Sequence, residues 1–181
     1  MEILYWISFA TFFLWLYVLI MRNGVPVSLS ETRYLVNERS AQWGHVLWIA
    51  MCTLVALPLM VVWLYHIRDN TDFSRILVYI TCLGLIGVGI AGNFKDTQTK
   101  FAWHCTFALM SAAAAVTWIF IYSPLWFIIV PLSLFLLLTG YKTGGRSEGN
   151  LTGKPKRNAI VFYAEMICFL AIYMILYFYF K

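Results

Sequence analysis

The chain has 181 residues, of which 62% are hydrophobic and 12% are charged, and its formal net charge is +5. Its mean hydropathy is +0.77. A soluble domain of this length needs a polar surface that this composition does not supply, and several apolar runs exceed the ~18 residues expected of a membrane span. The sequence therefore predicts an integral membrane protein and excludes an ordinary soluble domain.

Six apolar runs follow one another along the chain and predict an all-α, polytopic six-helix transmembrane bundle, a single domain over residues 1–181. The first run has no basic start and no small-residue cleavage site, so it predicts a retained span rather than a signal peptide. Pro58 and Pro131 fall inside the second and fifth spans and predict kinks there. We expect the spans at about 3–21, 43–67, 74–92, 101–122, 124–141 and 159–180.

Basic residues are distributed unevenly between the two sides that six spans define. The first, third and fifth loops hold ten Lys or Arg residues, whereas the opposite side holds only Arg68, Arg75 and Lys181. Because basic loops stay in the cytoplasm, these three loops are predicted to be cytoplasmic and both termini to lie outside the cytoplasmic membrane. The positive charge therefore indicates orientation, and no nucleic-acid partner is predicted.

The first loop carries the polar sequence SLSET, residues 28–32, before span two. Ser28 and Glu31 match a capping box, in which the serine caps a short helix and the glutamate reaches back to it. A functional interpretation is also open, because Ser28 or Ser30 would be a nucleophile if a base reached its hydroxyl group.

The third span contains the sequence GLIGVGIAG, residues 84–92, which includes a G-x-G-x-x-G pattern. A dinucleotide-binding fold would need a preceding strand, which a helical membrane protein does not provide. The glycines instead favour close helix packing, with Gly87 and Ala91 at small-xxx-small spacing and the small residues 111–115 of span four as a complementary face. Span three would also be the contact surface of a homo-oligomer.

Ionisable side chains gather on the predicted cytoplasmic side and form a candidate site. Glu165 is expected roughly 10 Å into span six, a depth at which a carboxyl group needs a partner or a watery cavity. His66 ends span two on the opposite side. The candidate catalytic residues are Ser28, Ser30, Glu31, Asp96 and His104. The candidate binding residues are His45, Asn93, Lys95 and Glu165.

Each of these residues also has a structural explanation. His45 and His104 suit the headgroup level, Asp96 can pair with neighbouring lysines, and Glu165 can hydrogen-bond a neighbouring helix. His45, His104 and Asp96 are of the types that hold zinc, but no H-x-x-x-H or C-x-x-C spacing nominates them, and no cofactor follows from the sequence. General acid–base work by a His–carboxylate pair is equally open.

The layout is similar to the DRAM-like family and to related small six-helix bacterial membrane proteins of unknown function. The resemblance lies in SLSET soon after span one, GIAGNFKD at the end of span three, and the histidine of FAWH near the start of span four. It implies a first loop outside the membrane, whereas the charge distribution predicts this loop inside. The motif order also resembles membrane hydrolases of the alkaline-ceramidase type, which use Ser, Asp and several His around zinc; with only three histidines, a full three-histidine site is not expected here.

The leading functional prediction is a polar pocket at the cytoplasmic leaflet that binds a membrane-lipid headgroup or a small amphiphile. A membrane-embedded hydrolase acting on a lipid is the first alternative, a small transporter or oligomeric pore the second, and a structural membrane partner of another protein the third. A transporter typically carries internal repeats or broken spans with midplane charges; the sequence has no convincing repeat, and Glu165 is the sole carboxylate well inside a span.

The orientation is tested with single cysteines introduced at Arg33, Lys154 and Lys181 and a membrane-impermeant maleimide on intact cells. We expect labelling at position 181 only, because the first and fifth loops are predicted to be cytoplasmic. The four native cysteines lie in apolar runs, so the unchanged chain measures the background. Labelling of the Arg33 cysteine from outside would reverse the orientation.

Overall fold

The computed structural model describes residues 2–26, 28–30, 32, 41–67, 71–92, 97–129, 131–132, 134, 138 and 160–181. Further helical residues occur at 126–129, 131–132, 134 and 138. The long helices within these ranges are α1 (Glu2–Asn23), α2 (Ala41–His66), α3 (Asp72–Ile90), α4 (Gln98–Tyr122) and α5 (Ile160–Phe180).

All five helices are long and apolar enough to cross a membrane. Their bounds agree within three residues with five of the six predicted spans, which confirms the all-α membrane-protein fold class. The remaining predicted span, 124–141, lies partly outside the described residues, and those described between 126 and 138 are helical.

Many outward-facing side chains of the helices are large and apolar. Ile3, Leu14 and Leu109 are 74%, 63% and 69% exposed, which suits contact with hydrocarbon rather than water. Exposed aromatic rings lie near the helix ends, as in the aromatic belts of membrane proteins. They include Trp43, Phe101 and Trp103 at one end of the bundle and Tyr65, Phe73 and Phe178 at the other.

Neighbouring helices pack in chain order, α1 on α2, α2 on α3 and α3 on α4. Helix α5 packs antiparallel to α1 through aromatic side chains, because Tyr5 contacts Tyr173 while Phe12 stacks on Phe169 with ring centres 4.8 Å apart. The ring of Trp118 near the end of α4 contacts Tyr179 near the end of α5. The ends of α4 and α5 therefore lie on the same side.

The glycines of α3 face two neighbouring helices at very short range. A Cβ atom at Gly84 would lie 2.9 Å from Cβ of Ser111, and one at Gly87 would lie 2.6 Å from the ring of Phe107, both on α4. A Cβ atom at Gly89 would lie 2.9 Å from Cβ of Cys52 on α2. Close helix packing is thus confirmed for Gly84, Gly87 and Gly89, while the pairing of Gly87 with Ala91 and a homo-oligomer through this span stay predictions.

A buried polar cluster joins α1, α2 and α5 beside Pro58. Proline has no N–H group, so it interrupts the hydrogen bonding of α2 around the preceding turn. The Ser8 hydroxyl donates to the Val55 carbonyl at 2.6 Å and lies 2.6 Å from the Tyr173 hydroxyl. Since Ser8 has one proton and gives it to Val55, Tyr173 donates to Ser8. Side chains from two helices thereby satisfy polar groups beside the proline in the third.

A second buried cluster lies at the end of the bundle that carries the termini. The indole N–H of Trp118 donates to the Ser74 hydroxyl at 2.8 Å, and the ring meets Trp63 edge to face with centres 4.9 Å apart. His66 is also at this end, with its ring centre 4.7 Å from that of Phe180. The predicted separation of His66 from the other two histidines is confirmed.

Replacing Gly84 with leucine should lower the melting temperature of the purified protein. The added side chain meets Ser111 and the backbone of α4, and overpacking typically costs about 1–3 kcal/mol. The matched control is Ala112→Leu, since Ala112 is exposed on α4. Equal melting temperatures for the two variants would contradict the close α3–α4 contact.

Candidate functional site

The chain that leaves α1 turns back into the bundle instead of staying at its surface. Gly24 follows the last residue of α1 with φ of 80°, and its N–H donates to the Ile20 carbonyl at 2.8 Å. Glycine adopts this left-handed conformation without steric cost and so ends the helix. Beyond it, Pro26, Leu29 and Thr32 are buried. We call residues 28–30 and 32 the re-entrant loop.

Thr32 is fully buried and connects this loop to α1. The indole N–H of Trp15 donates to the Thr32 hydroxyl at 3.3 Å. The same hydroxyl donates to the Leu29 carbonyl at 2.6 Å, and the Thr32 amide donates to that carbonyl at 3.1 Å. Trp15 lies eight residues before the end of α1, which corresponds to about 12 Å along the helix. The loop therefore reaches well below the helix ends.

Glu165 on α5 hydrogen-bonds the loop at Leu29. Its carboxyl Oε2 accepts a hydrogen bond from the Leu29 amide at 2.7 Å. Glu165 is the sixth residue of α5, about 8 Å along the helix from Ile160. The sequence predicts that a carboxyl group at this depth needs a partner, and the partner is a backbone amide that helical hydrogen bonding does not satisfy.

His104 on α4 contacts the loop at Ser30. The His104 Nε2 atom lies 2.9 Å from the Ser30 hydroxyl oxygen. His104 is buried, whereas Ser30 is partly exposed. Helix α4 begins at Gln98, one residue after Thr97, whose hydroxyl caps the helix by accepting from the Lys100 amide. This start places His104 about 9 Å along the helix.

Three helices thus hold one short irregular segment at similar depth. In a bilayer, non-helical backbone is tolerated only where protein buries it or where it lines a watery cavity. The re-entrant loop meets this requirement at Leu29, whose amide donates to Glu165 and whose carbonyl accepts from Thr32. Trp15 and His104 contact the side chains of the loop. The result is a hydroxyl group, an imidazole and a carboxyl group around one short segment.

The candidate residues from the sequence divide into three groups. Ser30, His104 and Glu165 come together around the loop, whereas Ser28 and His45 lie at the same end of the bundle, the first at a bend and the second on the second turn of α2. The remaining candidates lie outside the described residues, so the capping box and the pairing of the third-loop residues stay predictions. They are Glu31, Asn93, Lys95 and Asp96.

Three groups that form the candidate site are not predicted from the sequence. Trp15 lies inside an apolar span, where no sequence pattern marks its N–H group as a hydrogen-bond donor. Thr32 resembles an ordinary loop residue. The amide of Leu29 is a backbone group that every residue carries. The one indication of these contacts in the sequence is that the chain contains both the polar SLSET segment and a glutamate inside a later span.

The described part of the chain contains no arrangement of side chains that would ligate zinc. No three His, Cys, Asp or Glu side chains gather there as they would around a metal ion. His45, His104 and Asp96 were the candidate ligands, and Asp96 is not among the described residues.

Comparisons with protein-family models, with curated proteins and with solved structures find no match to this chain.

Replacing Glu165 with leucine should destabilise the re-entrant loop. The substitution leaves the Leu29 amide without its acceptor, and a buried unsatisfied donor costs about 1–3 kcal/mol. Glu165→Gln keeps an acceptor oxygen and should retain most of the stability. We expect a lower melting temperature and faster proteolysis within residues 24–40 for the leucine variant alone. If both variants behave like the parent, the Leu29–Glu165 hydrogen bond does not anchor the loop.

Proposed function

We propose that this protein binds the headgroup of a membrane lipid or small amphiphile at the re-entrant loop. The observation that carries the proposal is the contact between the partly exposed Ser30 hydroxyl and His104, about 9 Å along α4 from the start of the helix. The Ser30 hydroxyl and the His104 imidazole can hydrogen-bond a ligand that lies in the membrane.

The surroundings of His104 favour an amphiphile over a wholly polar solute. Phe101 and Trp103 precede it on α4 and are exposed, so an apolar surface lies next to the polar group. A ligand with a polar head and an acyl chain contacts both kinds of surface without leaving its leaflet. A wholly polar solute would make no favourable apolar contact with the exposed rings of Phe101 and Trp103.

Charge at this end of the bundle favours an anionic headgroup. Arg22 lies in the last turn of α1 and Lys100 in the first turn of α4. The three loops on this side contain ten basic residues in the sequence. Basic residues near a membrane surface each contribute about 1 kcal/mol to the attraction of anionic lipids.

The proposal includes six membrane crossings with the re-entrant loop on the cytoplasmic side. The C-terminal ends of α4 and α5 lie together, as the contact between Trp118 and Tyr179 indicates. The two helices then run in the same direction, so the chain between Tyr122 and Ile160 has to return across the membrane. The helical residues between 126 and 138 suit this return, and the positive-inside rule supports the orientation.

Binding is tested by native mass spectrometry of the detergent-purified protein with added phosphatidylglycerol, with phosphatidylethanolamine as the uncharged comparison. We expect phosphatidylglycerol to bind more tightly and Ser30→Ala to weaken its binding two- to tenfold. One lost hydrogen bond of about 0.5–1.5 kcal/mol accounts for this factor.

The matched control is Ser74→Ala, which removes a serine hydroxyl bonded to an aromatic ring nitrogen at the opposite end of the bundle. Its phosphatidylglycerol binding should equal that of the parent. Lyso-phosphatidylglycerol in a parallel series separates a two-chain lipid from a single-chain amphiphile. If Ser30→Ala and Ser74→Ala bind phosphatidylglycerol equally, headgroup binding at the loop is wrong.

A further inference from the structure

We propose that Ser30 is a nucleophile and His104 its general base, and that the site cleaves the carboxylic ester of a bound amphiphile. The inference rests on the proposed binding function for the delivery of its substrate. It adds a reaction and a substrate class, an acyl ester, to that function.

Ser30 and His104 have the geometry of a nucleophile and its base. The Nε2 atom of His104 lies 2.9 Å from Oγ of Ser30, within the 2.6–3.2 Å that proton transfer from a nucleophile to its base requires. The residues are 74 positions apart in the sequence, so the contact is tertiary. Ser30 is partly exposed, so a substrate can approach this residue, whereas His104 is buried.

The nucleophile is held in place by hydrogen bonds of its neighbours. The residue before Ser30 has its amide bonded to Glu165 and its carbonyl bonded to both the amide and the hydroxyl of Thr32. Thr32 is in turn fixed by Trp15. These bonds satisfy irregular backbone inside the bilayer, and they also give the Ser30 hydroxyl the fixed position that a catalytic group requires.

The tautomer of the histidine ring also bears on the reaction. A neutral imidazole carries its proton on one ring nitrogen and accepts at the other. The base form of His104 is therefore the Nδ1–H tautomer, in which Nε2 accepts the Ser30 proton.

The reaction proceeds in two balanced halves. Ser30 gives its proton to His104 Nε2 as its Oγ bonds to the ester carbonyl carbon, and the ester C–O bond breaks while the leaving alkoxide takes that proton and departs as an alcohol. Water then gives a proton to His104 and its hydroxyl to the acyl carbon. The Oγ–acyl bond breaks, Ser30 recovers the proton, and a carboxylic acid is released.

The test uses a decyl fluorophosphonate on the full-length protein in detergent, followed by intact-mass and peptide mass spectrometry. Attack by Ser30 on phosphorus releases fluoride and adds one phosphonyl group. We expect a single adduct on Ser30, none in Ser30→Ala, and full labelling in Ser74→Ala, which changes a serine at the opposite end of the bundle. His104→Gln can still hydrogen-bond Ser30 but cannot take up a proton, so its labelling rate should fall about 100-fold or more.

Phosphatidylglycerol binding is measured on the same samples, which separates the two proposals. Binding that depends on Ser30 without any adduct in the parent protein would overturn the nucleophile and leave headgroup binding standing. Equal labelling rates for the parent and His104→Gln would overturn His104 as the base, provided that both melt at similar temperatures. An adduct on any other residue would overturn the assignment to Ser30.

Discussion

The structure depends on one constraint, that a backbone polar group inside a bilayer must find its partner within the protein. The five long helices meet it through their own hydrogen bonds, but the segment after Gly24 cannot. At Leu29 the partners are the carboxyl group of Glu165 for the amide and Thr32 for the carbonyl. The position of Glu165 inside α5 is therefore explained by the irregular backbone at Leu29, whose amide it accepts from. The polar site follows from the same requirement, since whatever supports such a loop must itself be polar.

Much of the fold follows from the sequence because hydrocarbon thickness fixes the length of an apolar run. The helix bounds are accordingly close to those expected, and the glycines of α3 lie in close contacts with neighbouring helices, as expected. The candidate site is different. Ser30, His104 and Glu165 are recognisable as unusual residues, but their meeting depends on the rotation of α4 and α5 and on the inward path of the loop. None of these leaves a periodic signal in the sequence. The Leu29 amide, which gives Glu165 its partner, has no signature at all.

Three of the described serine hydroxyls differ in their surroundings. Ser8 satisfies a carbonyl beside Pro58, Ser74 accepts from a buried indole, and Ser30 meets a histidine. The first two are fully enclosed, and their roles are complete within the protein. Ser30 alone of the three is partly exposed, which is why chemistry is assigned to it and stability to the others.

The contrast between the α3 and α5 interfaces determines which part of the protein can move. On α3, glycines bring backbones so close to α2 and α4 that sliding or rotation would drive atoms into one another. On α5, the contacts to α1 run through aromatic rings and through hydrogen bonds of Tyr5 and Tyr173, so side chains rather than closely approaching backbones hold these two helices together. Helices α2 to α4 are therefore the more tightly fixed part of the bundle. Because α5 carries Glu165, a small tilt of α5 would change the spacing around the re-entrant loop.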